Sequence, residues 1–238
     1  MNKLILSRQL ALNLTLSDDA SFDNFYHASN NANALQALHA LNTSSKNQFI
    51  YIYGSPGVGR SHIAMACCRH FGNLGLPVSY LSLRDHNLKP EILDNLENMF
   101  LLCLDDLNAA LGKREWENAL FYCFNRLFEV GGNLLVTANT APSALNFLLP
   151  DLKSRMCSGL IFQLQDLDDE QKLSILDLRA KLRGLRLSPD IAKFLLTHYQ
   201  RDLKSLFSNL EKLSKVALNL KHQITIPFIK NVLGNKNN

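Results

Sequence analysis

The stretch FIYIYGSPGVGRSHIAMA, residues 49–66, decides the fold of this chain. Its first five residues are β-branched or aromatic, which is typical of a buried strand, and the residues after Gly59 follow a helical pattern. The loop between them has the spacing of a phosphate-binding loop, G-x-x-x-x-G-K-[ST], except that Arg60 stands at the lysine position. The sequence therefore predicts a strand, a phosphate-binding loop and a helix in immediate succession.

The glycine-rich loop predicts an anion site at the start of the helix. Successive backbone N–H groups converge there on phosphate oxygens, and glycine leaves room for the ligand. The Ser61 hydroxyl is in addition a candidate Mg²⁺ ligand. The residues that we predict to contact nucleotide are Pro56, Gly57, Val58, Gly59, Arg60, Ser61 and His62. Taken alone, the motif is also compatible with an ordinary glycine-rich turn.

Two acidic residues end the later apolar run LLCLDDL, residues 101–107. In phosphate-loop proteins the acid at the strand end holds the Mg²⁺ shell, and the next acid can orient the attacking water. Asp105 and Asp106 have these positions. Because four apolar residues lead into two acids, we expect both carboxylates to emerge at the carboxyl edge of the sheet, where such sheets bind ligands. A solvated strand end is the alternative.

Asn139 ends the next apolar run, LLVTAN, and is a candidate sensor of the γ-phosphate. Its amide could polarise a water molecule or a phosphate oxygen if that strand is central in the sheet. Asparagine is also a common turn residue, so a purely turn-forming role in TANTAP is an equal alternative.

Arg60 changes what the loop is expected to do. Arginine keeps the positive charge, but its guanidinium is planar and forked whereas the lysine ammonium is compact. It can pair with a β-phosphate through two hydrogen bonds, and we expect it to fit poorly between the β- and γ-phosphates. We therefore expect a nucleotide holder with weak or no intrinsic ATPase activity that prefers ADP to ATP.

The chain as a whole alternates predicted strands with predicted helices. The strand patterns lie at residues 49–54, 78–83, 100–107, 133–139 and 160–164, and helical patterns lie at 32–41, 60–75, 88–99 and 115–132. This alternation predicts an α/β fold in which helices cover both faces of a parallel sheet. After residue 167 only helical patterns follow. The predicted divisions are an N-terminal segment at 1–19, an α/β domain at 20–167 and a small helical domain at 168–238.

Composition excludes several classes of protein. Apolar residues make up 47% of the 238 residues and charged residues 19%, as in ordinary globular proteins. A net charge of +4 is too small for a dedicated binder of duplex DNA. The five cysteines form no C-x-x-C pair, which favours reduced thiols in a cytoplasmic protein over a disulfide or zinc framework. No apolar run is long enough to predict a membrane span.

The order of the motifs resembles the ATPase domain of the bacterial replication initiator DnaA. The matching motifs are SFDNF, NNANALQAL, FIYIYGSPGVGRSHIAMA, LLCLDDL, LLVTAN-x-x-P, LPDLKSRM and ITIPFIKNVL, which extend over residues 21–233. We expect the initiator's helix-turn-helix domain and its long N-terminal region to be absent. This combination resembles the branch of the family that inactivates the initiator.

The resemblance implies an AAA+ fold with a helical lid and several site residues. Phe22 and Phe25 match the segment that flanks the adenine, and Asp105 matches the position near the metal. Arg155 matches the arginine finger that reaches the nucleotide of a neighbouring subunit; a solvated charge or an ion pair is the alternative. Lys204 matches the second sensor of the lid, where the family commonly has arginine. Because lysine cannot make a planar two-point contact, we expect the lid to close poorly on a γ-phosphate.

The N-terminal segment contains the alternating pattern QLALNL, residues 9–14. In an extended strand Leu10, Leu12 and Leu14 share one face, and Gln9 can hydrogen-bond in a polar pocket. The pattern resembles the form that this family uses to bind the sliding clamp, the β subunit of DNA polymerase. An edge strand that packs on its own domain is the alternative.

Five basic residues lie on and after the first helix of the lid, namely Lys172, Arg179, Lys181, Arg183 and Arg186. Such a run usually marks a solvated face, which we expect here. Contact with DNA that passes through the clamp is the alternative, and the modest net charge disfavours it.

Three functions are compatible with these features. The resemblance favours a regulatory protein that binds ADP, docks on the clamp and donates Arg155 to the ATP of DnaA. A self-sufficient ATPase that remodels a partner is the second, and Arg60 and Lys204 speak against it. The third is a clamp-tethered module without catalytic effect. Head-to-tail contacts are usual in AAA+ proteins, so we also expect homo-oligomers.

The segment QLALNL generates the first testable prediction. Replacing Gln9 and Leu10 together with alanine is expected to abolish binding to the purified clamp, because the polar anchor and one apolar anchor are lost. Pull-down with immobilised clamp measures this, with the double variant Asn2→Ala, Lys3→Ala as the control. Circular dichroism should show the same folded spectrum for both variants. Clamp binding that survives the Gln9 and Leu10 changes would contradict the prediction.

Overall fold

The computed structural model describes residues 20–22, 25, 31–220 and 224–234. In these ranges the strands are β1 (Phe49–Tyr53), β2 (Val78–Ser82), β3 (Leu101–Asp105), β4 (Asn133–Ala138) and β5 (Leu160–Gln163). The helices are α1 (Ala32–Ala40), α2 (Arg60–Asn73), α3 (Arg114–Glu129), α4 (Pro150–Met156), α5 (Asp169–Leu182), α6 (Pro189–His198), α7 (Leu203–Leu220) and α8 (Ile226–Leu233). All predicted strands are confirmed, each within two residues of its expected limits.

The strands form one parallel sheet in the order β2-β3-β4-β1-β5. β1, which leads into the glycine-rich loop, lies between β4 and β5, and β3, which ends in the two acids, is the other neighbour of β4. In a parallel sheet the carboxyl ends share one edge, so the loop after β1 and the acids of β3 face the same side. The expected α/β architecture is therefore present.

Helices cover both faces of the sheet. One core joins α1 and α2 to side chains such as Ile50, Ile52 and Cys103. The other joins α3 and α4 to the alternate side chains of the strands, among them Tyr51 and Leu104. The residues of β1, β3 and β4 are buried on both faces of the sheet, which explains why their sequences are nearly continuous apolar runs, whereas the edge strand β5 is largely exposed.

The helical region begins at Asp168, which caps α5. The Asp168 carboxylate accepts a hydrogen bond from the N–H group of Gln171, whose side chain accepts one from the N–H group of Asp168. This capping box fixes the start of the helix. Helices α5 to α8 then enclose a core of their own, built around leucines such as Leu195 and Leu210. We call this region the lid.

The prediction of a helix at residues 88–99 is wrong. Only the four residues Pro90–Leu93 form a helical turn, of the 3₁₀ type. Lys89, which precedes the proline, is extended, as residues before proline usually are. Asn95 then has φ 65°, a left-handed conformation that cannot continue a helix. The extended Lys89 and the left-handed Asn95 therefore limit the helical segment to one short turn.

The cysteines that the structure describes differ in their exposure. Cys67, Cys68, Cys103 and Cys123 are buried free thiols, whereas Cys157 is exposed. Burial raises the pKa of the Cys67 and Cys103 thiols well above its ordinary value. In the described part of the chain, no helix has the length and apolar character needed to cross a membrane.

Candidate nucleotide-binding site

A cavity of about 630 Å³ opens between the carboxyl edge of the sheet and the lid. The glycine-rich loop and the first turn of α2 form its floor, and Arg84 and Asp106 come from the ends of neighbouring strands. The lid contributes Arg179 and Phe207 among others. The cavity thus has charged groups at the sheet and both apolar and charged groups at the lid, and its volume suits a small-molecule ligand.

The glycine-rich loop has the conformation that its glycines predict. Gly57 and Gly59 have φ 87° and 107°, which strain any other residue. A Cβ atom on Gly59 would lie 2.9 Å from Cε2 of Phe25, and one on Gly57 would lie 3.5 Å from Cβ of Asp202 in the lid. Gly59 is also the N-cap of α2 and offers no capping side chain, so N–H groups of the first turn are left for a ligand.

Arg60 is buried and pairs with Asp106. Its Nη2 atom lies 3.0 Å from Oδ1 of Asp106, and both side chains are 6% exposed. The other oxygen of Asp106 forms an ion pair with Arg84, whose Nε atom lies 2.7 Å away. Asp106 has φ 59°, a left-handed conformation that aspartate tolerates better than most residues. One carboxylate therefore connects two cavity-lining arginines from different elements.

Asp105 points into the sheet. Its Oδ2 atom accepts a hydrogen bond from the Tyr80 hydroxyl at 2.8 Å, and its Oδ1 atom accepts one from the Thr137 hydroxyl. Thr137 in turn accepts from the N–H group of Asp106 at 2.9 Å. Burial, and then the neighbouring charge of Asp105, raise the pKa of Tyr80 far above its ordinary value. Tyr80 is therefore a permanent donor to this carboxylate.

The expectation that both acids emerge from the sheet is wrong. Asp105 is 2% exposed and Asp106 is 4% exposed. Burial is possible because each carboxylate oxygen has a hydrogen-bond donor or a guanidinium beside it, which replaces the lost solvation. Of the two acids, Asp106 lines the cavity and Asp105 does not.

The lid contributes a buried arginine that the sequence analysis assigned to a solvated face. Arg179 is 5% exposed, and its guanidinium carbon lies 4.8 Å from the centre of the Phe207 ring. Its Nη2 atom donates to Nδ1 of His62 at 3.2 Å, so Nε2 of that ring carries the proton and donates to the Ser21 carbonyl at 3.1 Å. Arg179 therefore ties the lid to the first turn of α2.

The two phenylalanines implied by the resemblance occupy different places. Phe25 lines the cavity, with its ring centre 5.8 Å from that of His62. Phe22 instead packs between His39 and His70, at 4.5 and 5.6 Å between ring centres, outside the cavity lining. Of this pair only Phe25 is placed to contact a ligand.

Six other predicted positions contribute no described side chain to the cavity lining. Asn139 is exposed just after β4, does not line the cavity, and donates its N–H group to Asn108 Oδ1 at 3.0 Å. Lys204 belongs to α7, between the lining residues Leu203 and Phe207, but its side chain lies outside the described part of the structure. Gln9, Leu10, Leu12 and Leu14 also lie outside the described residues.

Arg155 stands apart from the cavity. It lies on α4, whose neighbouring residues Leu152 and Met156 are buried, and its own side chain is exposed. The guanidinium carbon is 5.6 Å from the centre of the Phe124 ring. This contact has the geometry of a cation–π interaction, which can orient an exposed arginine without pairing its charge.

Magnesium fits the donor set poorly. Ser61 lines the cavity, but Asp105 does not, and both of its oxygens already accept hydrogen bonds. Asp106 has a guanidinium on each oxygen. Among the described residues no cluster of three or more histidine, cysteine or acidic side chains has a metal-binding arrangement. The predicted Mg²⁺ site at Ser61 and Asp105 therefore stays a prediction that these contacts do not favour.

Sequence reasoning missed four residues of this region, although two of them carry a signal. Arg84 follows β2 by two positions, so it had to lie at the same sheet edge as the glycine-rich loop. Arg179 is spaced four residues from Ile175, which is buried on the same helix, and so shares its inward face. Tyr80 and Thr137 lie inside apolar strands, where nothing in the pattern distinguishes a partner of Asp105 from an ordinary core residue.

Comparison with known families separates the chain into two matched regions. The model of the bacterial DnaA ATPase domain matches residues 16–163. The model described as the lid domain of Hda matches residues 169–233. The first region contains the sheet, and the second begins with α5 and ends with α8.

Solved structures share the fold at low sequence identity. Domain III of the replication initiation protein DnaA from Thermotoga maritima gives a TM-score of 0.76 at 21% identity and covers 91% of this chain and 96% of that one. AMPPCP-bound DnaA from Aquifex aeolicus has a TM-score of 0.68 at 23% sequence identity, and the match covers 85% of this chain and 67% of that one. The Thermotoga maritima RuvB branch migration motor has a TM-score of 0.67 at 18% sequence identity, and the match covers 90% of this chain and 71% of that one. The predicted AAA+ sheet with a helical lid is confirmed.

The contacts of Asp105 generate a stability prediction. Replacing Tyr80 with phenylalanine removes one donor from a buried carboxylate and should lower the free energy of unfolding by about 1.5–3 kcal/mol. Urea denaturation at neutral pH measures this. Tyr122→Phe is the matched control, since Tyr122 is 60% exposed. Equal stabilities of the two variants would show that the hydroxyl of Tyr80 contributes nothing to holding Asp105.

Proposed function

We propose a function from the premise that this chain belongs to the family of bacterial DnaA ATPase domains, as its ordered motifs predict. It carries an Hda-type lid on a DnaA-like AAA+ sheet, which is compatible with a role in regulating DnaA. In our proposal the chain holds ADP in its own cavity, docks on the DNA polymerase sliding clamp, and donates Arg155 to the ATP that DnaA carries. Hydrolysis of that ATP would prevent a second initiation of replication.

The observation that carries the proposal is the position of Arg155. The cavity is lined by Arg60, Arg84 and Arg179, whereas Arg155 is exposed on another element. An arginine supplied by a neighbouring subunit stabilises the charge on the transferring phosphoryl group and accelerates the reaction by about 10³–10⁵. An exposed arginine on a firmly packed helix is suited to that task.

The helix that carries Arg155 is held by a buried acid. Glu117 on α3 is fully buried, and its Oε2 atom accepts the N–H group of Leu149, the N-cap of α4, at 2.8 Å. Its other oxygen accepts the N–H group of Gly112 at 2.9 Å. With Leu152 and Met156 packed in the core, α4 has a defined position relative to the sheet. This rigidity supports a role in which the arginine must reach a partner's site accurately.

Several features of the cavity support adenine nucleotide as its ligand. The DnaA relative from Aquifex aeolicus was solved with AMPPCP. In this chain, Nη1 of Arg60 is buried and has no hydrogen-bond partner among the described residues, so a phosphate oxygen would satisfy it. Phe25, Ile175 and Phe207 line the same cavity and offer apolar surface for a base. We take ADP as the resting ligand, because Nη2 of Arg60 already pairs with Asp106 and Nη1 is the atom left to contact a phosphate oxygen.

Weak turnover of the chain's own nucleotide follows from Asp106. An acid that orients the attacking water must accept a hydrogen bond from it. Asp106 has a guanidinium beside each oxygen, and in our proposal these two cations compete with water for the carboxylate. The proposal therefore assigns the catalytic effect to DnaA-bound ATP and leaves this chain as the activator. The docking segment Gln9–Leu14 would bring Arg155 to the clamp, close to DNA on which DnaA acts.

Arg155→Ala is expected to abolish the stimulated hydrolysis of DnaA-bound ATP. Removal of one transition-state charge should lower the rate by about 10³-fold or more, while ADP binding by the chain is unchanged. The assay follows conversion of labelled ATP on DnaA in the presence of DNA-loaded clamp. Arg114→Ala is the control, since Arg114 is also exposed but lies at the start of α3.

Full stimulation by the Arg155→Ala variant would contradict the proposal. If the variant still pulled down the clamp and DnaA, the chain would act by tethering alone. Loss of stimulation in both the Arg155 and the Arg114 variants would point to a general charge effect and would also count against an arginine finger.

A further inference from the structure

The four carboxylate oxygens at the end of β3 all have partners from this chain. Asp105 accepts from the hydroxyl groups of Tyr80 and Thr137. Asp106 accepts a hydrogen bond from Nη2 of Arg60 and forms an ion pair with Nε of Arg84. In phosphate-loop proteins these strand-end acids normally hold the Mg²⁺ shell. Here the same oxygens are engaged by neutral donors on one acid and by cations on the other.

The charges around Asp106 oppose a divalent ion. A carboxylate oxygen has two lone pairs, so one hydrogen bond does not by itself prevent metal binding. Each oxygen of Asp106, however, contacts a positively charged guanidinium. The contact with Arg60 is buried, where screening by salt is weak, whereas Arg84 approaches from a half-exposed position. An Mg²⁺ ion at this carboxylate would meet two like charges within a few ångströms. The ion would also have to keep its strict octahedral shell.

Arg60 and Arg84 can supply to a phosphate the positive charge that a metal ion would otherwise supply. Arg60 stands at the start of α2, where the first-turn N–H groups also point, and its Nη1 atom has no hydrogen-bond partner among the described residues. Arg84 lines the cavity from the end of β2, and its side chain is 54% exposed. Planar guanidinium groups bind phosphate oxygens in pairs of hydrogen bonds.

We propose that this chain binds a nucleoside diphosphate without Mg²⁺, with the guanidiniums of Arg60 and Arg84 in place of the metal's charge and Asp106 as their common anchor. The inference rests on the nucleotide site of the proposed function and names its ionic requirement. It does not depend on the action of Arg155 on DnaA.

The test compares the dissociation constant of fluorescently labelled ADP in millimolar MgCl₂ and in excess EDTA, with the full chain. The two values are expected to agree within about threefold. A loss of affinity in EDTA by more than about threefold would overturn the inference while leaving the nucleotide site intact. No binding in either buffer would contradict the nucleotide site itself, and the inference with it.

The variant Arg84→Gln provides a second test of the proposal. This substitution removes one cation from Asp106 at an exposed position, so the variant should fold normally. It frees a carboxylate oxygen, and ADP binding should now be weaker in EDTA than in MgCl₂ by about tenfold. Arg186→Gln, at an exposed site on the lid, should keep the wild-type ratio. Equal ratios in the Arg84 and Arg186 variants would overturn the role of Arg84.

Discussion

The buried ion pair between Arg60 and Asp106 is the interaction on which the rest of the site depends. It joins Arg60, the first residue of α2, to Asp106, the residue directly after β3, at the carboxyl edge of the sheet. Removing one member of such a pair typically costs about 3–5 kcal/mol, because the other charge is left buried. Arg84 then brings β2 into the same network. The glycine-rich loop is thereby fixed against three strand ends.

The lid completes the site by contacting the loop directly. Asp202 lies within van der Waals distance of a Cβ built on Gly57, and Arg179 reaches His62 across the cavity. A ligand in the cavity would therefore touch both regions and couple their positions. A ligand that binds to both regions would stabilise this arrangement by mass action. Arg155 is exposed and does not line the cavity. Under the proposed function, the chain would therefore hold a nucleotide and present this charge to a partner at the same time.

The sequence predicted the architecture well, because the central strands are short apolar runs rich in β-branched, aromatic or leucine residues that alternate with longer helical patterns. It also predicted the loop, whose glycines have the positive φ values that the motif requires. It failed at residues 88–99, where Asn95 adopts a left-handed turn, and at Arg179, where a charge shares a face with Ile175. The burial of Asp105 depends on hydrogen bonds from hydroxyl groups in β2 and β4. Contacts between residues so distant in the sequence leave no local pattern from which they could be predicted.

The central claim is that this chain promotes hydrolysis of ATP on DnaA rather than of its own nucleotide. The most direct measurement loads DnaA with labelled ATP, removes free nucleotide, and follows ADP formation with the chain present, with and without DNA-loaded clamp. The account predicts rapid conversion when chain and clamp are both present, and little conversion by the chain given ATP alone. No acceleration while the chain is demonstrably bound to the clamp, or turnover of ATP by the chain alone at about 1 s⁻¹ or faster, as for an ordinary enzyme, would contradict it.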